Sequence, residues 1–269
     1  MINKYIKEYI EISGNGLWCE DKAIITPTLA GVMDGATPIN IEQCLGYPTQ
    51  ACWFVNSFAN MMMNQLLTDS DSFFHICTSI TSKLSNQYKQ SEPYNSPCST
   101  AAFASQEGDE ICIYLIGDCH VYLSLKNSSV THLSDERVSF FSDKTLLASQ
   151  AHPNDAQNAI IKQKIENRKH LNKSGGFFAI DLSRDYINGF RKYNYPVSSI
   201  KEILLCTDGF ARAFIEYELV TPEKFFEVGY NLLEIAFRIK EFEKKNSTEC
   251  ASKCVKKADD ISAILIKFN

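Results

Sequence analysis

A buried strand is predicted by Ile203-Leu204-Leu205-Cys206-Thr207, which leads directly into Asp208-Gly209. Short apolar runs bounded by turn-forming residues are consistent with strands that are covered on both faces. Two more predicted strands have an aspartate at one end: Ala30-Gly31-Val32-Met33 runs into Asp34-Gly35, and Asp259-Asp260 runs into Ile261-Ser262-Ala263-Ile264. Because strand ends converge at the rim of a sheet, we expect these carboxylates to lie close together.

The acidic side chains at these strand ends form a candidate metal site. A further pair, Glu20-Asp21, precedes the apolar residues 23–25. Carboxylates gathered in one place repel each other, and a hard cation relieves that repulsion. Oxygen ligands favour Mg²⁺ or Mn²⁺, and two such ions about 3.5–4 Å apart can activate water and clamp a phosphate. The alternative interpretation is structural, because Asp-Gly is also a common turn pair.

The remaining sequence indicates helices and strands that are segregated along the chain, which is the α+β pattern. A hairpin or strand is predicted at residues 22–33, and the stretch 5–12 alternates weakly. Helices are predicted at residues 49–67, 72–90 and 155–171, with two more within 221–244. Strands are predicted at 99–105, 110–116, 121–125 and 130–133 as one antiparallel meander, and at 177–182, 202–207 and 261–268. No repeat or flexible linker is evident, so residues 1–269 are predicted to form one domain.

Composition excludes several classes of function. The formal net charge of −5 provides no basic field for nucleic acid. No apolar run is long enough to span a membrane, and the first residues lack a secretory signal, which favours a cytoplasmic protein with reduced cysteines. The five histidines show no paired metal spacing and are expected to be core, turn or surface residues.

Six segments together resemble the metal-dependent, type 2C serine/threonine protein phosphatase family. They occur in the family's order: Glu20-Asp21, Gly31-Val32-Met33-Asp34-Gly35, Cys98-Ser99-Thr100-Ala101, Ile116-Gly117-Asp118-Cys119, Leu204-Leu205-Cys206-Thr207-Asp208-Gly209 and Asp259-Asp260-Ile261-Ser262. A seventh segment, His132-Leu133-Ser134-Asp135-Glu136, resembles a turn of the same family. The resemblance implies a four-layer α-β-β-α sandwich, with two antiparallel sheets flanked by helices.

The resemblance also implies a mechanism and a set of roles. A metal-activated water would hydrolyse phosphoserine or phosphothreonine in a phosphorylated protein substrate, using two Mg²⁺ or Mn²⁺ ions, with a third ion as an open alternative. Asp34 would bridge the two ions, and the Gly35 carbonyl would bind one of them. Glu20 would serve the second ion, whereas Asp208 and Asp259 would hold the first. The resemblance also implies that Asp118 belongs to a third metal site. The alternative that Asp118 is only a turn residue is equally well supported by the sequence.

The sequence departs from the family where the substrate phosphate is bound. The arginine that grips the phosphate is replaced by Gly16, and the histidine assigned as a general acid is replaced by Ala36. A third-metal aspartate is replaced by Arg212, for which the hypothesis is a partial substitute grip on phosphate and the alternative is a surface helix residue. An inactive pseudophosphatase that acts as a binding module therefore stays open, as does a non-enzymatic protein with structural Asp-Gly turns. The substrate and the oligomeric state are not readable from the sequence, and residues 135–152 and 183–199 are expected to be variable loops.

Overall fold

The computed structural model of this chain describes residues 1–14, 16–65, 72–89, 94–246, 256 and 258–268. Two antiparallel sheets lie face to face, and helices cover the outer face of each sheet. This arrangement confirms the predicted α+β fold with four layers. Within the described residues, no helix is both long and apolar enough to cross a membrane, and the eight cysteines are free thiols.

The strands fall into a six-stranded and a five-stranded sheet. The first contains β2 Asp21–Ile25, β3 Leu29–Gly35, β4 Cys98–Glu107, β5 Glu110–Ile116, β8 Ile180–Asp181 and β9 Arg191–Pro196. Their order is β2-β3-β4-β5-β9, with β8 paired to β4. The second contains β1 Ile6–Ile12, β6 His120–Leu125, β7 Val130–Leu133, β10 Ile200–Cys206 and β11 Ile261–Lys267, in the order β1-β11-β10-β6-β7.

The helices form two outer layers and one additional pair. They are α1 Gln50–Gln65, α2 Phe73–Gln87, α3 Ser139–Ala151, α4 Ala156–Arg168, α5 Asp208–Ala211, α6 Pro222–Val228 and α7 Leu232–Lys245, with short 3₁₀ turns at Ile2–Tyr5, Pro153–Asp155, Asp185–Gly189 and Val197–Ser199. Helices α1 and α2 cover the six-stranded sheet, whereas α5 to α7 cover the five-stranded sheet. Helices α3 and α4 pack against each other.

Strand β10 shows why the apolar run at residues 203–206 is continuous. Ile203 and Leu205 pack in the core between the two sheets, whereas Leu204 and Cys206 pack against the outer helices. Successive side chains of a strand point to opposite faces, so a strand covered on both faces needs apolar residues throughout. Each fully buried aliphatic side chain contributes about 1.5–3 kcal/mol. This central strand therefore holds Asp208, which follows it, in a fixed position.

Local capping explains where the helices of the last third begin and end. Thr221 accepts a hydrogen bond from the Lys224 backbone N–H (3.2 Å), and Pro222 occupies the first turn of α6. Gly229 ends α6 in the left-handed region at φ 72°, a conformation that glycine adopts without strain. Asn231 caps α7 through its side chain. The prediction of two helices within residues 221–244 is confirmed.

The predicted four-strand meander is wrong, although its four strands exist. Strands β4 and β5 pair in the six-stranded sheet, whereas β6 and β7 pair in the five-stranded sheet. The chain crosses between sheets at Gly117, whose φ of 76° lies in the left-handed region. Asp118 consequently lies at the junction of the two sheets and is not a turn residue of a meander.

Other sequence expectations differ from the structure in extent. Residues 22–33 form the predicted hairpin, but β3 extends through Asp34 and Gly35. The predicted strand at residues 177–182 is reduced to β8. The segments expected to be variable loops contain α3 and β9. Residues 66–67 and 90, which were included in the first two predicted helices, lie outside the described residues.

Candidate active site

Four predicted site aspartates line one cavity of about 470 Å³ where the ends of both sheets meet. Asp34 is near the end of β3, Asp118 lies between β5 and β6, and Asp208 follows β10. Asp259 lies two residues before β11, and Gly35 also lines the cavity. The expectation that strand ends bring these carboxylates into one place agrees with this geometry.

Three of these aspartates, Asp34, Asp118 and Asp208, form an acidic cluster, and the nearby charges of Lys256 and Arg212 offset only part of the rise in their pKa values. Burial, followed by the charges of Asp21, Asp208 and Asp118, raises the pKa of Asp34 well above its usual range. Burial and the charge of Asp208 raise the pKa of Asp118 to about 7. The pKa of Asp208 is also raised, and protonated Asp34 is close enough to donate a hydrogen bond to it. If all three were ionised, Asp34, Asp118 and Asp208 would repel one another, and a divalent cation would relieve that repulsion.

Asp21 lies behind this cluster and is held by the five-stranded sheet. Its Cα pairs with that of Asp34 across β2 and β3. The Thr207 hydroxyl donates a hydrogen bond to Asp21 Oδ2 (2.6 Å) and accepts one from the Ser262 backbone N–H (3.0 Å). Burial raises the pKa of the Asp21 carboxyl, and the charge of Asp260 adds to that effect. This hydroxyl joins the two sheets directly beneath the acidic cluster.

Glu20, which was predicted to serve the second metal, is directed toward protein groups. It is buried and is not among the residues that line the cavity. Its Oε2 accepts a hydrogen bond from the Thr37 hydroxyl (2.7 Å), and its Oε1 accepts one from the Thr49 hydroxyl (2.8 Å). Its backbone N–H donates to Asp260 Oδ2 (2.6 Å). The Glu20 carboxylate therefore stabilises the start of α1 in this conformation.

Asp259 lines the cavity but has two basic partners. Arg212 donates to Asp259 Oδ2 (2.8 Å), and Lys256 donates to Asp259 Oδ1 (2.7 Å). Burial alone would raise the pKa of Asp259, but Lys256 and then Arg212 reverse that effect and lower it. Arg212 is only 4% exposed and also lies 3.6 Å from Glu243. Arg212 is therefore a buried ion-pair residue, and the alternative that it is a surface helix residue is wrong. These ion pairs give no support to the hypothesis that it grips phosphate.

The two Asp-Gly pairs are not turns. Asp34-Gly35 ends strand β3, and Asp208-Gly209 begins helix α5. A Cβ at Gly35 would lie 2.5 Å from the Glu20 carbonyl oxygen, and one at Gly209 would lie 1.9 Å from the Asp260 carbonyl oxygen. Glycine is needed because a neighbouring backbone approaches closely. The interpretation of these pairs as structural turns is therefore wrong.

Only part of the predicted ligand set is free of protein partners that would compete with a metal ion in this conformation. Asp34, Asp118 and Asp208 form no salt bridge with any basic residue that the structure describes, whereas Glu20 and Asp259 are bonded to protein groups. In the part of the chain that the structure describes, no group of three or more His, Cys, Asp or Glu side chains is arranged so that it could hold a metal ion. The chemistry of the three aspartates favours a divalent cation, but the full two-ion ligand set is not assembled.

Sequence reasoning missed several residues of this cavity. Lys164 and Arg168 reach it from α4, and Lys256 reaches it from the segment before β11. His120 also lines it, and its Nδ1 lies 2.9 Å from Nε2 of His132 on the adjacent strand β7. The spacing of twelve residues between these histidines carries no motif, and only the pairing of β6 with β7 brings them together.

The comparison with known families agrees with this geometry. The family model for protein phosphatase 2C matches residues 14–241. The chain belongs to the protein phosphatase 2C family. None of the curated proteins compared with the chain matches it.

Solved structures of bacterial phosphatases have the same fold. The serine/threonine phosphatase Stp1 from Staphylococcus aureus is 12% identical, covers 98% of this chain and 95% of its own, and has a TM-score of 0.57. The serine/threonine phosphatase PstP/Ppp from Mycobacterium tuberculosis is 14% identical, with 97% of each chain covered and a TM-score of 0.56. A second structure, of the PstP catalytic domain in complex with 2 manganese ions, is 13% identical over 97% of this chain and 96% of its own, with a TM-score of 0.52. At these identities the likeness shows the fold of this protein phosphatase 2C chain.

Proposed function

We propose that this chain hydrolyses phosphoserine and phosphothreonine in proteins with the help of bound Mg²⁺ or Mn²⁺. The observation that carries the proposal is the convergence of Asp34, Asp118 and Asp208 on one cavity, with carboxyl pKa values raised by burial and by neighbouring carboxylates. Membership of the protein phosphatase 2C family supports the reaction class. The cytoplasmic location, the single domain and the absence of nucleic-acid partners stay predictions.

The residues of the chain divide into two groups in this proposal. Asp34 and Asp208, with Asp118 and the Gly35 carbonyl, would hold the divalent cation. That cation supplies positive charge for the phosphate and lowers the pKa of water. Thr207 keeps the carboxylate behind the cluster in place through its hydrogen bond to Asp21. Glu20 and Asp259 would join the ligand set only after exchanging their present protein partners.

A pseudophosphatase is the second candidate, and a specific observation favours it. Arg212 and Lys256 already neutralise Asp259, and hydroxyl groups already occupy both oxygens of Glu20. Because Arg212 and Lys256 already supply positive charge to the site, a metal ion would gain less by binding there. The affinity for metal and the rate of hydrolysis would then both be low. In that case the cavity would recognise a phosphorylated partner without hydrolysing it.

Hydrolysis of p-nitrophenyl phosphate in Mn²⁺, with and without chelator, tests the first candidate against the second. We expect Mn²⁺-dependent turnover that falls by about 10²–10³-fold in Asp208→Asn, the loss typical of removing one electrostatic element from an active site. Asp109→Asn is the matched control, because Asp109 is exposed in the turn between β4 and β5. Absence of turnover in the intact chain at every Mn²⁺ concentration would favour the pseudophosphatase.

A further inference from the structure

The family resemblance implies an arginine that binds the substrate phosphate, and this chain has the uncharged residue Gly16 at that position. Gly16 is exposed, its φ is 75°, and it does not line the cavity. A phosphate that entered the cavity would face the carboxylates of Asp34, Asp118 and Asp208. A basic side chain elsewhere in the cavity would offset that repulsion, in addition to the charge of any bound cation.

Among the residues that the structure describes, four lysines and arginines line the cavity, and three of them have protein partners. Arg212 and Lys256 are paired with Asp259. Arg168 donates hydrogen bonds to the Ser96 carbonyl oxygen (3.1 Å) and to Cys98 Sγ (2.9 Å). The fourth, Lys164, makes no hydrogen bond or ion pair with any residue that the structure describes. Its ammonium group is therefore available to an anion.

Helix α4 is fixed so that Lys164 faces the cavity. One turn later, Arg168 ties α4 to the start of β4 through Cys98. Asn167 Nδ2 ties α4 to α3 by donating to the Phe141 carbonyl oxygen (2.8 Å) and to the Thr145 hydroxyl (3.0 Å). Residues three and four apart share one face of a helix, so Lys164 lies on the face that these bonds turn toward the site.

Two basic side chains and two carboxylates act on the charge of Lys164. Burial lowers the pKa of Lys164, and the nearby charges of Lys256 and Arg168 lower it further, whereas Glu20 and Asp259 raise it. Lys164 therefore belongs to a group of cations whose mutual repulsion a bound anion relieves. Lysine binds phosphate as a point charge, without the fixed fork geometry of arginine.

We propose that Lys164 binds the phosphate group of the substrate in this cavity, in place of the arginine that Gly16 replaces. The inference rests on the proposed function for the identity of the substrate, but the anion site stands on the geometry of the cavity. Arg168 is a positioning residue in this arrangement, because its hydrogen bonds orient the helix that carries Lys164.

Binding of inorganic phosphate by calorimetry tests the inference without requiring turnover. We expect Lys164→Gln to weaken phosphate binding about tenfold or more, since a hydrogen bond to a charged group is lost. Lys164→Arg should retain most of the binding. Lys162→Gln is the matched control, because Lys162 lies on the same helix, is exposed and does not line the cavity. Thermal melts establish that each variant folds.

Steady-state kinetics with p-nitrophenyl phosphate separate this inference from the proposed function. Lys164→Gln should raise KM at least as much as it lowers kcat, whereas Lys162→Gln should leave both unchanged. Equal phosphate affinity in the intact chain and in Lys164→Gln, or no phosphate binding by the intact chain, overturns the inference even if hydrolysis occurs. Phosphate binding that depends on Lys164 in a chain without turnover supports the anion site and refutes the phosphatase.

Discussion

Replacing Asp118 with Asn should change how the stability of the metal-free protein depends on pH. The pKa of the Asp118 carboxyl is about 7 in the folded chain, against 3.8 as its reference value, because of burial and the charge of Asp208. Between these two values the folded state binds more protons than the unfolded state, so the Asp118 contribution to stability falls as pH rises. From pH 5 to pH 8 this loss approaches two pKa units, or about 2.7 kcal/mol, because the carboxyl is only half ionised at pH 7. That value is an upper figure, because part of the Asp118 side chain is exposed to the cavity.

Urea denaturation in chelator at pH 5, 6, 7 and 8 measures this effect as a difference between two proteins. Asp118→Asn lacks the penalty, so its free energy of unfolding should gain up to about 3 kcal/mol on the intact chain between pH 5 and pH 8. His120 has a pKa lowered to about 3 by burial and by His132. Its contribution rises with pH up to the unfolded value near 6.5, but it is common to both proteins and cancels in the difference.

The same pair of proteins in saturating Mn²⁺ should behave differently. A bound cation removes the repulsion between the carboxylates, so the intact chain should regain stability at pH 8 and the advantage of Asp118→Asn should shrink. Asp109→Asn is again the control and should show no pH-dependent difference. A stability difference between Asp118→Asn and the intact chain that stays constant from pH 5 to pH 8 would refute the reasoning about the acidic cluster.

Two further substitutions test the contacts around the cluster through the free energy of unfolding in urea. Thr207→Val removes the hydroxyl that donates a hydrogen bond to Asp21 and should lower the free energy of unfolding by about 1–3 kcal/mol. Thr207→Ser keeps a hydroxyl and should retain most of the stability. Equal stability of the two variants would contradict the role of the hydroxyl. Arg212→Met leaves the buried Asp259 carboxylate with one partner fewer and should lower the free energy of unfolding by about 3–5 kcal/mol. The same change at the more exposed Arg238 should lower it by at most about 1 kcal/mol. A loss at position 212 no larger than the loss at position 238 would show that the buried ion pair does not stabilise the fold.

The parts of the fold that sequence predicted best are those in which local pattern and burial agree. The apolar run at residues 203–206 is buried on both faces, and this pattern located β10 and the aspartate after it. The hairpin of β4 and β5 was also located by its two predicted strands, at residues 99–105 and 110–116. Sheet membership was not predictable in the same way, because the switch at Gly117 depends on long-range pairing and not on local spacing.

Helix α3 shows where pattern reasoning fails. Only Phe141 and Thr145 are buried along its thirteen residues, so it presents no apolar stripe that would mark a helix. The segment was therefore expected to be a loop. The missed helix has consequences for the site, because α3 and α4 together carry Phe141 and Lys164 to the cavity.

The candidate site was predictable in its carboxylates but not in its basic residues. Asp34, Asp208 and Asp259 were found because each lies at or near a strand end, and Asp118 was found by family resemblance. Arg212 was interpreted as a phosphate-binding residue or a surface helix residue. Its buried ion pair could not be predicted, because the partner Glu243 lies on α7, far along the chain. The direction of the Glu20 side chain could not be predicted from the sequence either. Glu20 accepts hydrogen bonds from the hydroxyls of Thr37 and Thr49, which only the folded chain brings near it.

The most direct test of the central claim is phosphate release from a phosphoserine peptide during a Mn²⁺ titration of the metal-stripped protein. We predict no release without Mn²⁺, release that saturates with Mn²⁺ and is abolished again by chelator, and a loss of about 10²–10³-fold in Asp34→Asn but none in Asp109→Asn. Release that does not depend on Mn²⁺, or that Asp34→Asn leaves unchanged, would contradict a metal-dependent phosphatase built on this acidic cluster.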